Sequence, residues 1–520
     1  MLKDSNIANG VMLNAYPDSI GRTLSDTINM LKRSEFKDVF SLFYILPTFF
    51  NSDLDRGFSI IDYNRNEELV SKSDLEDLEQ LNIQLKLDIV LNHLSVASPQ
   101  FKDLLKNGNQ SKYKDFFINW NTFWEGNGAM GEDGIVIPKK EFLDKLFMRK
   151  SGLPVLKVPF PDGSEEPYWN TFYQKTNADN SVLGQMDVNA TSQLVWDFYK
   201  DTLQKVSSYG CKILRLDAFA YLHKAVGASN FFNKPGTWDY LERIKQIADK
   251  NNLTLLPEIH AEYGTYLHDE VAKKGYQIYD FFLPGLMIHT IEKKDSNALL
   301  NWANEIIDKG YKTVNMLGCH DGIPVLDLKG KEVDSVYYKG LLLDEDIEDI
   351  MDIIIERGGR VKNLYGPNGK KISYYQVNAT FFSALGESEQ KLLLARAIQM
   401  FMPGIPQVWY LDIFAGKNDY KAADNAGSGG HKEINRTTLS VEDIEEGLKK
   451  DVVLNQLKLL RLRNTSKAFS GSVEINTSSH KIIDIKWVNE NEFAHLKVNL
   501  NTYNFTIDYT ELGESKFYAF

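Results

Sequence analysis

Eight short apolar runs, rich in β-branched residues, recur between longer amphipathic segments and constrain the fold more than any other feature of the chain. They lie at Val11–Tyr16, Val39–Leu46, Leu85–Asn92, Lys212–Leu216, Leu253–Glu258, Gln277–Leu283, Thr313–Gly318 and Gln407–Leu411. Apolar runs separated by helical patterns favour parallel strands that are joined by crossover helices and buried on both faces. A closed (β/α)8 TIM barrel of the α/β class is the simplest architecture with eight such strands.

Two intervals between these runs are too long for one crossover helix: the first lies between Asn92 and Cys211, and the second between Cys319 and Pro406. Their length predicts inserted subdomains. The second interval contains an acidic helix pattern at Leu343–Glu356 and a turn-rich segment at Tyr365–Lys371. Near the end of the chain, alternation as in Lys481–Val488 predicts a small C-terminal antiparallel β domain. The predicted divisions are 1–93, 187–290 and 377–465 for the barrel, 94–186 for an inserted subdomain B, 291–376 for strand 7 with a second insertion and a long loop, and 466–520 for the β domain.

Composition excludes several classes of protein. The 520 residues include 59 Lys and Arg against 71 Asp and Glu, so the net charge of −12 argues against nucleic acid or an anionic membrane as the main partner. Cys211 and Cys319 each lie inside an apolar run, which excludes a disulfide framework. The N-terminus lacks an apolar stretch of signal-peptide length, and no long apolar run follows, so we expect a cytoplasmic protein.

Polar residues follow the predicted strands where a barrel places its active site. They are Asn92, His93, Arg215, Asp217, Glu258, His260, His320 and Asp321. Three carboxylates and three histidines are therefore expected at one mouth of the barrel. A carboxylate nucleophile with a carboxylic general acid is what a retaining glycosidase needs to break an acetal bond. A single strand-end Asp could equally cap the next helix, but that explanation does not fit all three carboxylates together.

Other chemistries find little support in the chain. No HExxH or CxxC pattern is present, so a catalytic zinc ion is not expected. No acidic calcium loop is visible, and neither a GxGxxG nor a Walker A motif appears. Gly427–Gly430 is interpreted as a flexible loop because it follows no strand and lacks the Lys-Ser/Thr of a phosphate-binding loop. We therefore predict neither a metal ion nor an organic cofactor.

Four motifs resemble the conserved regions of the α-amylase superfamily, glycoside hydrolase family 13: Asp88–His93 (DIVLNH), Arg215–Ala218 (RLDA), Pro257–His260 (PEIH) and Cys319–Gly322 (CHDG). Further motifs are similar to those of its sucrose phosphorylase branch. They are Asp55–Phe58 (DRGF), Tyr279–Pro284, His320–Ile323, Tyr375–Leu385, Pro403–Gln407, Ala415–Asp419 and Ile434–Arg436. The resemblance extends from about residue 11 to about residue 470 and implies a phosphorylase that transfers a glucosyl unit to inorganic phosphate.

The resemblance also implies a role for each site residue. Asp217 becomes the nucleophile, Glu258 the general acid/base and Asp321 the stabiliser of the transition state. Arg215 is expected to keep Asp217 ionised. The residues implied to bind the glucosyl unit are Asp55, Phe58, His93, Phe172, Arg215, Tyr221, His260, His320, Gln376 and Arg436. The expected partners are a sugar or sugar phosphate and inorganic phosphate, and the chain is expected to be a monomer or a homodimer.

One departure from the branch concerns the leaving group. Typical members have an Asp that holds fructose where this chain has Ser373, beside Tyr374 and Tyr375. Cations lie nearby in sequence at Lys370 and Lys371, and the inserted region supplies Arg149 and Lys150. Loss of a carboxylate among cations favours a phosphorylated leaving group, and hence sucrose 6-phosphate over sucrose. The two loop lysines could equally be plain solvated residues.

Other substrates and other activities remain compatible with the sequence. The substrate could instead be glucosylglycerate or glucosylglycerol. An α-glucosidase or transglucosidase of the same fold would use the same triad. A non-catalytic sugar-binding subunit fits poorly because all three carboxylates are present.

Overall fold

The structure is a computed structural model that describes residues 7–149, 152–176, 182–365, 371–426, 430–511 and 513–520. The side chains of 176, 362–365 and 371–375 lie outside this description.

Eight parallel strands form a nearly closed barrel, as the eight apolar runs predict. They are β1 (Met12–Ala15), β2 (Leu42–Ile45), β3 (Gln84–Val90), β4 (Cys211–Asp217), β5 (Thr254–Pro257), β6 (Ile278–Asp280), β7 (Thr313–Met316) and β8 (Ile405–Trp409). Their order in the sheet is β5-β4-β3-β2-β1-β8-β7-β6, so strands that neighbour in sequence also pair in space, except β5 and β6. The first and last strands pair in parallel, with Met12 opposite Gln407. The α/β barrel prediction is confirmed.

Amphipathic helices alternate with the barrel strands. The main ones are Leu24–Leu31, Lys72–Gln80, Gln193–Ser208, Gly236–Lys250, Leu267–Lys273, Leu283–Lys293, Asn297–Lys309, Glu389–Phe401 and Asp451–Thr465. The start of Lys72–Gln80 shows the local chemistry: the Ser71 hydroxyl accepts from the Asp74 amide, and the Asp74 carboxylate accepts from the Ser71 amide. Reciprocal capping of this kind satisfies two amides that a helix start leaves without partners.

One compact unit comprises 45–70 and 86–258. Its strands outside the barrel are Phe50–Leu54, Ser59–Arg65, His93–Ser95, Gly128–Met130, Val136–Pro138, Val155–Pro159, Glu165–Trp169, Gln174–Thr176 and Val182–Asp187, and its further helices are Pro99–Asn107, Trp120–Phe123 and Lys140–Leu143. The segment between β3 and β4 contains a cluster of buried side chains in which Trp120, Trp124 and Trp169 are almost fully buried. The Trp120 indole donates to the Val136 carbonyl over 2.7 Å, so the buried ring leaves no polar atom unsatisfied.

The other compact unit comprises 1–44, 71–85 and 259–520. Between β7 and β8 it contains strands Ile323–Pro324, Lys331–Val333, Val336–Tyr338, Arg360–Tyr365 and Lys371–Asn378 and the helix Asp344–Glu356, which confirms the acidic helix pattern. The chain ends in a five-stranded antiparallel sheet, as predicted, made of Ser472–Asn476, Ile482–Asn489, Glu492–Asn499, Asn504–Glu511 and Glu514–Ala519. Alternate residues Ile483, Ile485 and Trp487 are buried, and the Trp487 indole donates to the Phe401 carbonyl over 2.9 Å.

Both cysteines are buried thiols. Cys211 is 2% exposed and Cys319 is 7% exposed. Burial raises the pKa of Cys211 to about 12. Within the described residues, no helix is both long enough and apolar enough to cross a membrane.

Candidate active site

Arg215 brings three carboxylates together at the carboxyl end of β4. Residues two apart in a strand point to the same face, which places the Arg215 and Asp217 side chains side by side. Nη1 of Arg215 lies 2.6 Å from Oδ1 of Asp88 and 3.1 Å from Oδ1 of Asp217, and Nη2 lies 2.5 Å from Oε1 of Glu258. The guanidinium is only 2% exposed, so these charges meet where water screens them little.

This sharing changes what was expected of Asp217. Burial raises the pKa of Asp217 well above its ordinary value, the nearby charge of Glu258 adds to the rise, and Arg215 only partly opposes both. The contact with Arg215 is present as predicted, but one guanidinium divided among three carboxylates only partly offsets the rise in the Asp217 pKa. Two interacting carboxyl groups of this kind titrate as a pair and not independently.

Aromatic side chains surround this group in the same unit. Phe58 is 7% exposed, and its ring centroid lies 5.5 Å from Cζ of Arg215. The Phe172 ring packs at 5.0 Å from His93 and at 5.1 Å, edge to face, from Tyr221. These contacts join the rings of His93, Phe172 and Tyr221, while Phe58 lies against Arg215.

Two of these residues have altered proton affinities. Burial lowers the pKa of His93, whose Nε2 lies 3.2 Å from the Phe58 carbonyl oxygen, so His93 is neutral at pH 7. Burial raises the pKa of the Tyr221 phenol, while Arg149, which hydrogen-bonds the phenol, opposes the rise. Cζ of Arg149 also lies 5.6 Å from the Phe172 ring centroid. The predicted cation therefore lies against the aromatic group.

Asp55 lies in a turn whose backbone is left-handed at three successive residues. Asp55 and Arg56 both have φ 51°, and Gly57 has φ 105°. A Cβ atom on Gly57 would lie 2.4 Å from the Thr48 amide nitrogen, so only glycine fits there. The turn leads directly into Phe58 and leaves Asp55 exposed.

Asp321 follows β7 in the other unit and is surrounded by cations. Oδ1 contacts the Lys432 ammonium and lies 3.9 Å from Nη2 of Arg436, while Oδ2 lies 3.4 Å from Nε2 of His320. Burial pushes the pKa of Asp321 upward, but Lys432, His320 and Arg436 outweigh burial and hold it well below its ordinary value. The neighbouring cations therefore favour the ionised form of Asp321, in contrast to Asp217.

Known proteins resemble the whole chain. A sucrose 6(F)-phosphate phosphorylase from Ilumatobacter coccineus is 58% identical over 515 residues, 98% of each chain. A sucrose phosphorylase from Streptococcus mutans is 34% identical over 510 residues, 97% of this chain and 98% of that one. The chain belongs to the sucrose phosphorylase branch of glycoside hydrolase family 13. A crystal structure of sucrose 6F-phosphate phosphorylase from Thermoanaerobacter thermosaccharolyticum matches with a TM-score of 0.87 and 34% identity, covering 99% of both chains. No family model matches the sequence.

Two further residues that sequence reasoning placed in this branch's glucosyl site lie in the unit that contains Asp321. His260 stacks on Phe281 with ring centroids 3.8 Å apart, and its Nδ1 lies 3.3 Å from Oδ1 of Asp327. Gln376 is 2% exposed and pairs through its backbone with Pro324. Both residues are held by neighbours from other elements of that unit.

The residues predicted to distinguish sucrose phosphorylases by leaving group are described only in part. Lys150 and Lys370 lie outside the described residues, as do 427–429 of the glycine-rich loop. For Lys371, Ser373, Tyr374 and Tyr375 the backbone alone is described, and it forms a strand in which Ser373 lies opposite Leu364. The hypothesis about the leaving group stays a prediction at these positions.

Sequence reasoning missed a buried ion pair in this member of the branch. Nζ of Lys224 lies 2.8 Å from Oδ2 of Asp187 and donates to Oδ1 of Asn92 over 2.8 Å and to the Tyr221 carbonyl over 2.8 Å. Asp187 also accepts from the Thr171 amide over 2.8 Å. The network joins the segments that carry His93, Phe172 and Tyr221. Its only sequence signal is a charged pair within otherwise apolar stretches.

A second missed residue is Lys432, whose partner Asp321 lies more than a hundred residues earlier. Its only signal is its position four residues before Arg436 in the stretch HKEINR. In the described part of the chain, no group of three or more His, Cys, Asp or Glu side chains is arranged to hold a metal ion.

Proposed function

We propose that the protein is a retaining phosphorylase that cleaves sucrose 6-phosphate, phosphorylated on the fructose, with inorganic phosphate. The products are α-D-glucose 1-phosphate and fructose 6-phosphate, and sucrose is the secondary substrate. The observation that carries this proposal is the 58% identity, over nearly the whole chain, to a sucrose 6(F)-phosphate phosphorylase. The contacts of Arg215 with both Asp217 and Glu258 and the raised pKa of Asp217 support it, because the reaction needs one protonated and one ionised carboxyl group.

In the first displacement, an ionised Asp217 attacks the anomeric carbon while Glu258 donates its proton to the glycosidic oxygen. The bond from the anomeric carbon to that oxygen breaks, fructose 6-phosphate leaves with the proton, and a β-glucosyl ester forms on Asp217. Because the pKa of Asp217 is raised, a proton held on Asp217 must move to Glu258 when the substrate binds. Arg215 contacts both carboxylates, so it can balance the charge in either arrangement.

In the second displacement, a phosphate oxygen attacks the anomeric carbon, Glu258 takes the proton of that phosphate, and the ester bond to Asp217 breaks. Each displacement inverts the carbon, so the product keeps the α configuration. We propose that Asp321, held ionised by its cations, accepts hydrogen bonds from glucosyl hydroxyls and stabilises the positive charge that develops on the ring. His320 and Arg436 position Asp321, and Phe58, Phe172 and Tyr221 provide an apolar surface for the sugar.

The position of Arg149 is evidence for a phosphorylated leaving group. Its guanidinium lies against Phe172 and hydrogen-bonds Tyr221, so a cation borders the proposed sugar surface. Ser373 replaces an Asp that would repel a phosphoryl group. We further propose that the protein is cytoplasmic, where sugar phosphates are available. We also propose the predicted division of the chain, with an insertion at 94–186, and a monomer or homodimer.

The test compares initial rates of phosphorolysis of sucrose 6-phosphate and sucrose at equal concentration. We expect sucrose 6-phosphate to have a kcat/KM at least about tenfold higher, the effect of one added charged contact. An Arg149→Met variant should lose most of this preference, while the exposed control Arg243→Met should keep it. A large preference for free sucrose in the wild type would contradict the proposed leaving group.

A glucosidase of the same fold differs from a phosphorylase in its glucosyl acceptor, which is water and not phosphate. Omission of phosphate should stop sugar release almost completely in a phosphorylase. Glucose formed at the same rate without phosphate would contradict phosphorolysis and favour the hydrolase.

A further inference from the structure

The segment 432–436 contacts the three successive residues 319–321 that follow β7. Nδ2 of Asn435 donates to the Cys319 carbonyl over 2.8 Å, and Nε of Arg436 donates to the His320 carbonyl over 2.8 Å. The Lys432 ammonium then contacts Oδ1 of Asp321. Two of these contacts fix the backbone, and the contact from Lys432 reaches the carboxylate itself.

Arg436 cannot replace Lys432 in this arrangement. Its Nε is used by the His320 carbonyl, its Nη1 lies 2.9 Å from Oε1 of Glu433, and its Nη2 is 3.9 Å from Oδ1 of Asp321. The last distance is beyond that of a hydrogen bond. Lys432 is therefore the nearer cation to Oδ1.

Each oxygen of the Asp321 carboxylate therefore has its own neighbouring side chain. Oδ1 faces Lys432, and Oδ2 lies 3.4 Å from the ring nitrogen of His320. The Asp321 amide also donates to Sγ of Cys319 over 3.4 Å, which fixes the backbone at the same point. A carboxylate that must accept hydrogen bonds from a developing cation works best when its orientation is set before the substrate arrives.

We propose that Lys432 is a positioning residue that orients the Asp321 carboxylate for glucosyl transfer. The inference rests on the proposed function, since it assigns Lys432 an effect through Asp321. Lys432 does not itself need to touch the sugar. Its side chain is 27% exposed, so its replacement should leave the fold intact.

The test uses α-glucosyl fluoride with inorganic phosphate as the acceptor, because fluoride leaves without the contacts that a particular leaving sugar needs. We expect Lys432→Met to lower kcat for fluoride release about ten- to a hundredfold, the range for loss of a charged hydrogen bond at a transition state. KM should change by less than about threefold, because the contact acts on the transition state. Lys432→Arg should restore most of kcat, since it keeps the charge and the donors.

A matched control is Lys449→Met, which removes an exposed lysine that pairs with Glu446. It should leave kcat and KM unchanged. Addition of Lys432→Met to Asp321→Asn should lower the rate by less than about twofold, because residues that act through one another are not additive. Melting temperatures of all variants check that the fold is retained.

The outcomes separate the inference from the proposed function. A Lys432→Met variant with wild-type kcat, a change confined to KM, or full additivity with Asp321→Asn would overturn the role of Lys432 alone. Fluoride release by a wild type that forms no glucose 1-phosphate from either sugar would contradict phosphorolysis and leave the Lys432 comparison valid. A wild type that releases no fluoride would overturn both.

Discussion

At the scale of the residue, the carboxyl groups of Asp217 and Asp321 differ in the direction of their pKa shifts. Asp217 competes with two other carboxylates for one guanidinium, and its pKa is raised. Asp321 is surrounded by cations, and its pKa is lowered. The same side chain therefore has opposite effects on stability at the two positions.

Asp217→Asn and Asp321→Asn should both be nearly inactive, with kcat reduced about 10³-fold or more, but should shift the melting temperature in opposite directions. A raised folded pKa stabilises the fold at acid pH, and this stability is lost as pH rises through that pKa. Asp217→Asn should therefore melt about 1 to 3 °C above the wild type at pH 7.5. A lowered folded pKa contributes stability at neutral pH, so Asp321→Asn should melt lower. Equal shifts in differential scanning calorimetry would refute this assignment.

Asp280 gives a second pH-dependent prediction. Its Oδ1 accepts from the amides of Phe282 and Leu283, and its Oδ2 accepts from the Trp302 indole over 3.0 Å. Burial nevertheless raises its pKa to about 6. Its stabilising effect is complete below the unfolded pKa and is lost as pH rises through about 6.

Asp280→Ala should therefore lower the free energy of unfolding by about 2 to 4 kcal/mol, since it removes three hydrogen bonds. The loss should be larger at pH 5 than at pH 7.5, by about 1 kcal/mol. Urea unfolding of wild type and variant at both pH values measures the difference. A loss that is independent of pH, or larger at pH 7.5, would count against the raised pKa.

At the scale of the element, the sequence predicts strands better than loops. The barrel strands could be predicted because a strand buried on both faces is apolar along its whole length, as in β2. Strand ends then locate Asp217, Glu258 and Asp321. The Lys224 and Asp187 pair could not be predicted, because each residue is polar in a loop or at a strand end and only the folded chain brings them together. The sharing of Arg215 with Asp88 depends on the pairing of separate strands in the same way.

The left-handed turn before Phe58 gives a prediction about the effect of a side chain at Gly57. Gly57→Ala should lower the free energy of unfolding by about 2 kcal/mol or more, because the new methyl group meets the backbone at Pro47 and Thr48. It should also reduce activity, since the turn sets the positions of Asp55 and Phe58.

Gly163→Ala is the matched control for this turn. Gly163 also has a positive φ, 85°, but nothing lies within 4 Å of its added Cβ. Thermal unfolding of the two variants separates backbone strain from collision. Equal destabilisation by both would rule out the collision.

At the scale of the whole molecule, the net charge of −12 opposes the anions that the proposed reaction uses. Long-range repulsion is weak beyond about 10 Å at 0.1 M salt, so nearby cations such as Arg149 should decide binding. The KM for phosphate should therefore rise about two- to threefold between 0.05 and 0.5 M sodium chloride, because salt screens local attraction. The KM for sucrose, which is neutral, is the control. A KM for phosphate that falls with salt would show that the acidic surface dominates.

The burial of both native thiols has a practical consequence for experiments on this protein. Maleimide dyes react with accessible thiolates, and Cys211, with a pKa of about 12, offers neither access nor charge. Cys319 is nearly as inaccessible. A cysteine introduced at an exposed position should therefore accept a fluorophore selectively in the native enzyme, without prior removal of the natural cysteines. Pairs of such labels would allow energy-transfer measurements on an unmodified active site.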